Sequence, residues 1–239
     1  MSIRLKGCSF IVADANSPNP AADLRLTISQ YVNEGCRVAG AILNMAPEDY
    51  DPQDLKRRLG HVPLWGVVHE TPLLQAPRVV DVARHLNAEI IVAGEMATRR
   101  VTDPIITARS AAAIISRLRP GTLVIATGDR DDIVMVVALA ASRGIPLAGL
   151  LLTHSSSIAP HLMDLAGPAL STGLPILRTS GDSYATARLV SQIPSAVPGD
   201  DMQRMNAVLD TIAEHLDSET ITAAFHMPEH TKLSPPAFR

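Results

Sequence analysis

Four short stretches of this chain place hydroxyls, carboxylates and a guanidinium where a loop follows an apolar run: Asp14-Ala15-Asn16-Ser17, Gly128-Asp129-Arg130-Asp131-Asp132, Thr153-His154-Ser155-Ser156-Ser157 and Thr179-Ser180-Gly181-Asp182-Ser183. In open α/β sheets, ligands settle beyond the carboxyl ends of the strands, so these loops are where binding chemistry belongs. The second loop puts Asp129, Asp131 and Asp132 around the start of a helix, where carboxylates complement the macrodipole and cap free N–H groups. That leaves Arg130 as its group for a ligand phosphate or a neighbouring acid. The third loop, with Thr153, Ser155, Ser156 and Ser157, offers uncharged hydroxyls and backbone donors ahead of an expected helix start at Ile158, which suits either an anion or a plain serine cap. Arg99 and Arg100 are adjacent and could clamp a carboxylate or phosphate, or serve a solvated or ion-paired role. Asn44 ends an apolar run, where an amide can meet a base edge or begin a turn.

These residues need elements to hold them, and the chain supplies short apolar runs alternating with amphipathic helical stretches. That pattern implies repeated βαβ units, an α/β fold of two small units with mainly parallel sheets flanked by helices. Strands are expected at 9–13, 37–43, 63–68, 89–92, 122–126, 147–152 and 176–178. Helices are expected at 20–33, from Asp51-Pro52 onward, and at 79–86, 105–118, 132–143, 158–170, 183–192 and 201–215. Two prolines between Thr71 and Pro77 punctuate the pattern. This gives a first unit at 1–75, a second at 76–193, and a linker, amphipathic helix and proline-rich tail at 194–239.

Composition removes several classes of function. With 21 basic and 24 acidic residues among 239, there is no basic stripe to neutralise a nucleic-acid backbone, and 3% aromatics give few stacking platforms. The longest apolar run, Ile133 to Ala141, is far short of the roughly 20 residues a membrane helix needs. The charged start Met1 to Lys6 is not followed by a long apolar core. Cys8 and Cys36 lack the spacing of a metal or redox pair and read as buried thiols, and the eight histidines form no ligand pair by spacing. A cytoplasmic protein without metal or cofactor, binding neither nucleic acid nor membrane, is the expectation.

At the second unit the residues meet a specific likeness. Val79-Val80-Asp81-Val82-Ala83-Arg84-His85-Leu86-Asn87-Ala88, Thr98-Arg99-Arg100-Val101, Gly128 to Ile133, Ala148 to Thr153 and Thr172-Gly173-Leu174-Pro175 resemble, in order and spacing, the DRTGG domain in the middle of long bacterial phosphate acetyltransferases. The tail Leu233 to Arg239 resembles the junction before that family's acetyl-transferring domain. Residues 1–62 are similar to the later half of the P-loop domain, related to dethiobiotin synthetase, that opens those enzymes. Asn44 falls where the synthetases contact adenine. The likeness departs in lacking the first half of that domain, phosphate loop included. It implies a truncated P-loop-like unit followed by a DRTGG-like one.

The family's chemistry moves an acetyl group between coenzyme A and phosphate, and the resemblance puts that catalytic domain beyond Arg239. It implies a regulatory and assembly segment, itself non-catalytic, whose partners are a second copy, the phosphate acetyltransferase catalytic domain and a small anionic metabolite or nucleotide. The alternative is a degenerate P-loop ATP-dependent ligase or nucleotide hydrolase; retained acetyl transfer is a third reading. Among the loops, an anionic ligand is expected near Arg130 and Ser155 to Ser157.

Overall fold

The computed structural model describes residues 8–224. The charged start, His226, His230 and the junction-like tail lie outside them. Residues 72–197 form one unit, and the described residues before and after them form the other.

The first unit begins with β1 (Cys8–Asp14), α1 (Pro20–Asn33), β2 (Arg37–Ala46), α2 (Pro52–Leu59) and β3 (Leu64–His69). The strands run parallel in the order β1-β2-β3. Both helices start where local chemistry says they must. Asn19 accepts from the Ala22 amide at 3.2 Å and Asp51 from the Gln53 amide at 2.9 Å, each followed by a proline whose preset φ suits the first helical position. Leu24, Ile28, Leu55 and Leu59 then fall on one side and bury against Ile11, Ala41 and Leu43. The thiol of Cys36, expected buried, is only partly so, and it is free; the Cys8 side chain lies outside the described part.

The second unit contains α3 (Pro72–Gln75), α4 (Val79–Leu86), β4 (Glu89–Val92), β5 (Asp103–Ile106), α5 (Ala111–Ile114), β6 (Thr122–Thr127), α6 (Asp131–Ser142), β7 (Gly149–Thr153), α7 (Pro160–Leu165), α8 (Gly167–Leu170), β8 (Ile176–Arg178) and α9 (Ser183–Ser191). Its sheet has the order β4-β8-β7-β6-β5, parallel except for the edge strand β4. Both faces are covered, and the period of two along each strand shows how. Val124, Ala126, Leu150, Leu152 and Ile176 bury against α5 to α8, whereas Leu123, Ile125, Leu151 and Leu177 bury against α4 and α9. Continuous apolar strands such as Leu123-Val124-Ile125-Ala126 follow from having no wet face.

Two expected helices differ. The stretch 105–118 is not one helix: Asp103–Ile106 is a strand, pairing Ile105 with Val124, followed by a loop, the single turn α5 and a 3-10 turn at Ile115–Arg117. The β-branched Ile105-Ile106-Thr107 run satisfies the free edge of β6 better than it propagates a helix. The stretch 158–170 splits into α7 and α8, because Pro160 opens the first and Gly167-Pro168 interrupts continuation.

Residues 194–239 read in the sequence as a linker, an amphipathic helix and a tail; within the described part of that stretch, α10 (Met202–His215) and α11 (Ser218–Ala224) pack on β3. A bridge joins Gly66 to Leu216, and the Asp217 amide donates to the Trp65 carbonyl at 2.8 Å. Gly66 permits the approach, since a Cβ there would run into the His215 carbonyl.

Candidate ligand-binding edge of the second unit

The four parallel strands β5 to β8 end together, so the loops after them gather along one edge of the sheet. They are Thr107 to Ser110, Gly128 to Arg130, His154 to Ala159 and Thr179 to Asp182.

The Gly128 loop and the serine loop touch. The Gly128 amide donates to Ser156 Oγ, which in turn donates to the Thr153 carbonyl at 2.5 Å. A Cβ on Gly128 would stand 2.9 Å from the Ser157 nitrogen, so glycine is what lets the two loops close. His154 and Ser155 both hold positive φ, 60° and 51°, and their amides donate to the Gly181 and Thr179 carbonyls at 2.9 Å. Thr153 is fully buried; its hydroxyl bonds the Ala126 carbonyl at 3.3 Å and Ser183 Oγ at 2.9 Å.

These bonds revise the expected roles. Thr153 and Ser156 lock adjacent loops to one another and have no hydroxyl to spare, while Ser155 and Ser157 are exposed at the edge. The serines do not sit at a helix N-terminus. The next helix, α7, starts at Pro160 after Ala159 and makes no side-chain cap bond. The expected serine cap is therefore not made.

Arg130 grips Asp132 with two charge-assisted bonds, Nε to Oδ1 at 2.8 Å and Nη2 to Oδ2 at 2.9 Å. It also donates to the carbonyls of Thr107 and Arg109, both at 3.2 Å. Hydrogen bonding and the Arg130 charge hold the Asp132 carboxyl below its ordinary range, and the same pairing raises the guanidinium. Asp129 and Asp131 remain exposed.

Arg99 and Arg100 lie at the opposite edge. Arg99 precedes β5 and donates to the carbonyls of Leu147 and Thr172, which precede β7 and β8, and to Glu95 Oε2 at 3.1 Å. Five strand residues at about 3.3 Å each separate the two edges by roughly 15 Å, so Arg99 cannot share a small ligand with Arg130. Arg100 donates to the Ala76 carbonyl at 3.3 Å and is bridged to Arg78. Both arginines thus donate to main-chain carbonyls. Asn44 belongs to the first unit, opposite Asp14 in the β1–β2 register, and its carbonyl accepts from the Ala15 amide at 2.8 Å.

Arg109 is the residue that spacing missed. It was hidden inside the expected 105–118 helix, yet it stands exposed on the loop after β5 with no side-chain hydrogen bond or ion pair among the described residues. The signal was local: Pro104 and the Ile105-Ile106-Thr107 run argue for a strand, and Ser110 is a ready helix start. Among the described residues, no group of three or more His, Cys, Asp or Glu is arranged to hold a metal. Nor is any helix long and apolar enough to cross a membrane.

A five-stranded, mainly parallel sheet covered on both faces, with its loops collected at the carboxyl edge, defines a doubly covered α/β domain. Residues 81–193 match the family described as DRTGG domain. The chain carries that domain within a stretch homologous to part of the phosphate acetyltransferases. It is 40% identical over 212 residues to phosphate acetyltransferase of Pseudomonas putida, covering 85% of this chain and 30% of the relative. It is 38% identical over 219 residues to the one of Deinococcus radiodurans, covering 87% and 31%. The chain thus spans under a third of these relatives' length. A solved structure of the CBS and DRTGG domains of the regulatory region of Clostridium perfringens pyrophosphatase, complexed with diadenosine tetraphosphate, aligns at 11% identity and a TM-score of 0.43 over 87% of this chain and 88% of that one.

Proposed function

We propose that this chain is a regulatory and assembly segment of a phosphate acetyltransferase, that it does not itself transfer acetyl groups, and that its second unit senses a small anionic metabolite or nucleotide. The observation that carries the reading is the carboxyl edge of the β5–β8 sheet. Exposed Arg109, Ser155 and Ser157 lie there with Arg130; the serine loop is tied down by the Gly128–Ser156 and Thr153–Ser183 bonds, and the Arg109 loop by the two bonds from Arg130 to the Thr107 and Arg109 carbonyls. A guanidinium with no side-chain partner among the described residues is poised for a bidentate phosphate or carboxylate contact. Arg130, by contrast, positions Asp132 and the Thr107–Arg109 turn, and contributes a second positive charge. Homology to enzymes that extend well beyond this stretch supports a role subordinate to a catalytic domain.

Calorimetric titration of the pure chain with ATP, NADH and pyruvate tests the sensing reading. One of them should bind, and Arg109→Ala should weaken it roughly tenfold, the cost of one charge-assisted contact. Equal binding by wild type and variant would remove the edge from consideration. Acetyl phosphate formation from acetyl-CoA by this chain alone should be absent; measurable turnover refutes the non-catalytic reading. Self-association is part of the proposal, supported by the apolar residues Phe10 and Val12 exposed on the edge strand β1. Light scattering that shows a clean monomer at micromolar concentration counts against it.

A further inference from the structure

The spacing of the histidines suggests no metal pair, but the fold brings two of them together. The return of α10 to β3 brings His69, the last residue of β3, against His215, the last residue of α10, with ring centroids 5.4 Å apart and planes at 68°. Both rings have the same hydrogen-bond arrangement. His69 Nδ1 faces the Pro47 carbonyl at 2.9 Å, and His215 Nδ1 faces the Thr211 carbonyl at 2.7 Å. A carbonyl oxygen can only accept, so in each neutral ring Nδ1 carries the proton and Nε2 keeps its lone pair. Neither Nε2 has a hydrogen-bond partner among the described residues. This is the arrangement that metal-binding histidines adopt, one nitrogen anchored to a carbonyl that fixes tautomer and ring orientation, the other bare.

The separation fits as well. Two imidazoles bound to one tetrahedral ion through bonds of about 2.0–2.1 Å have centroids roughly 5 Å apart. Both rings are half-buried, so an ion can reach them from solvent. We propose that His69 and His215 form a two-imidazole site for a borderline divalent ion, Zn²⁺ or the chemically similar Cu²⁺ and Ni²⁺, with water completing the coordination. Imidazole selects these ions over Mg²⁺ and Ca²⁺, which prefer oxygen. With no third His, Cys, Asp or Glu grouped beside them among the described residues, the site is open and exchangeable rather than a closed structural centre. Bound there, an ion ties the end of β3 to the end of α10 and stabilises the returned helix on the first unit.

The test is titration of the full, tag-free chain with zinc chloride, against magnesium chloride as control. One zinc per chain is expected, no magnesium binding at the same concentrations, and a loss of zinc affinity of at least about tenfold in both His69→Gln and His215→Gln. His226→Gln with His230→Gln should leave that binding intact. Absence of zinc binding, or affinity unchanged in either single variant, overturns the proposal. Melting in chelator establishes that each variant is folded. Should either unfold, the wild-type histidine Cε1–H resonances give the answer. Movement of His69 and His215 together at one equivalent of zinc supports the site, and shifts confined to other histidines overturn it.

Discussion

The indole of Trp65 occupies the space where a Cβ on Gly40 would stand. These two residues lie on neighbouring parallel strands, β2 and β3, and their fit lets an aromatic ring lie almost fully buried in a sheet that is only three strands wide. Phe10 on β1 extends the contact, its ring centroid 5.8 Å from Trp65.

Gly40→Ala should therefore destabilise the first unit by about 1–3 kcal/mol, the usual cost of adding a methyl to a filled core. Urea unfolding followed by the fluorescence of the single tryptophan reads this directly, because the probe is the displaced side chain. An unchanged midpoint would mean that the ring moves aside without cost.

Arg99→Lys should cost about 2–3 kcal/mol, because one ammonium cannot reach the carbonyls of both Leu147 and Thr172, and an acceptor in a largely buried place is left unpaired. Ligand affinity of the folded variant should match wild type, since the residue lies at the amino edge of the sheet. A stable variant that has lost ligand binding would restore the clamp reading.

Arg130→Ala should raise the Asp132 midpoint toward the ordinary carboxylate range, since the guanidinium is the largest cause of its lowered value. In wild type the pair's contribution is fully present above that ordinary range and disappears as acid carries the pH down through the lowered value. Titration of the carboxyl by NMR measures both midpoints. Because the pair is exposed, molar salt should shift wild type in the same direction as the substitution.

Gly128→Ala should push the serine loop away by a few tenths of an ångström and cost about 1 kcal/mol or more, because besides Ser156 Oγ it meets two backbone atoms, the Ser157 nitrogen and the Ser156 carbonyl carbon, that cannot yield as a side-chain end can. Faster amide exchange at Ser156 and Ser157 should accompany it. Unchanged exchange would show that the loops are not mutually supported.

The sequence was sufficient wherever the cause is local. Asn19-Pro20 and Asp51-Pro52 announce helices because cap and proline act within one turn. The runs at 122–126 and 147–152 announce buried parallel strands because both of their faces must be apolar. The Gly128 and Ser155 loops could be assigned to one edge for the same reason, as each follows such a strand. The tertiary structure alone decided what depends on distant residues meeting. Arg99 became a main-chain anchor because β7 and β8 begin beside it, and Arg109 came to the carboxyl edge because Ile105-Ile106 found the open side of β6. His69 met His215 because α10 returned to β3. Local preference cannot encode such meetings, since their free energy comes from surfaces that exist only once the chain has closed on itself.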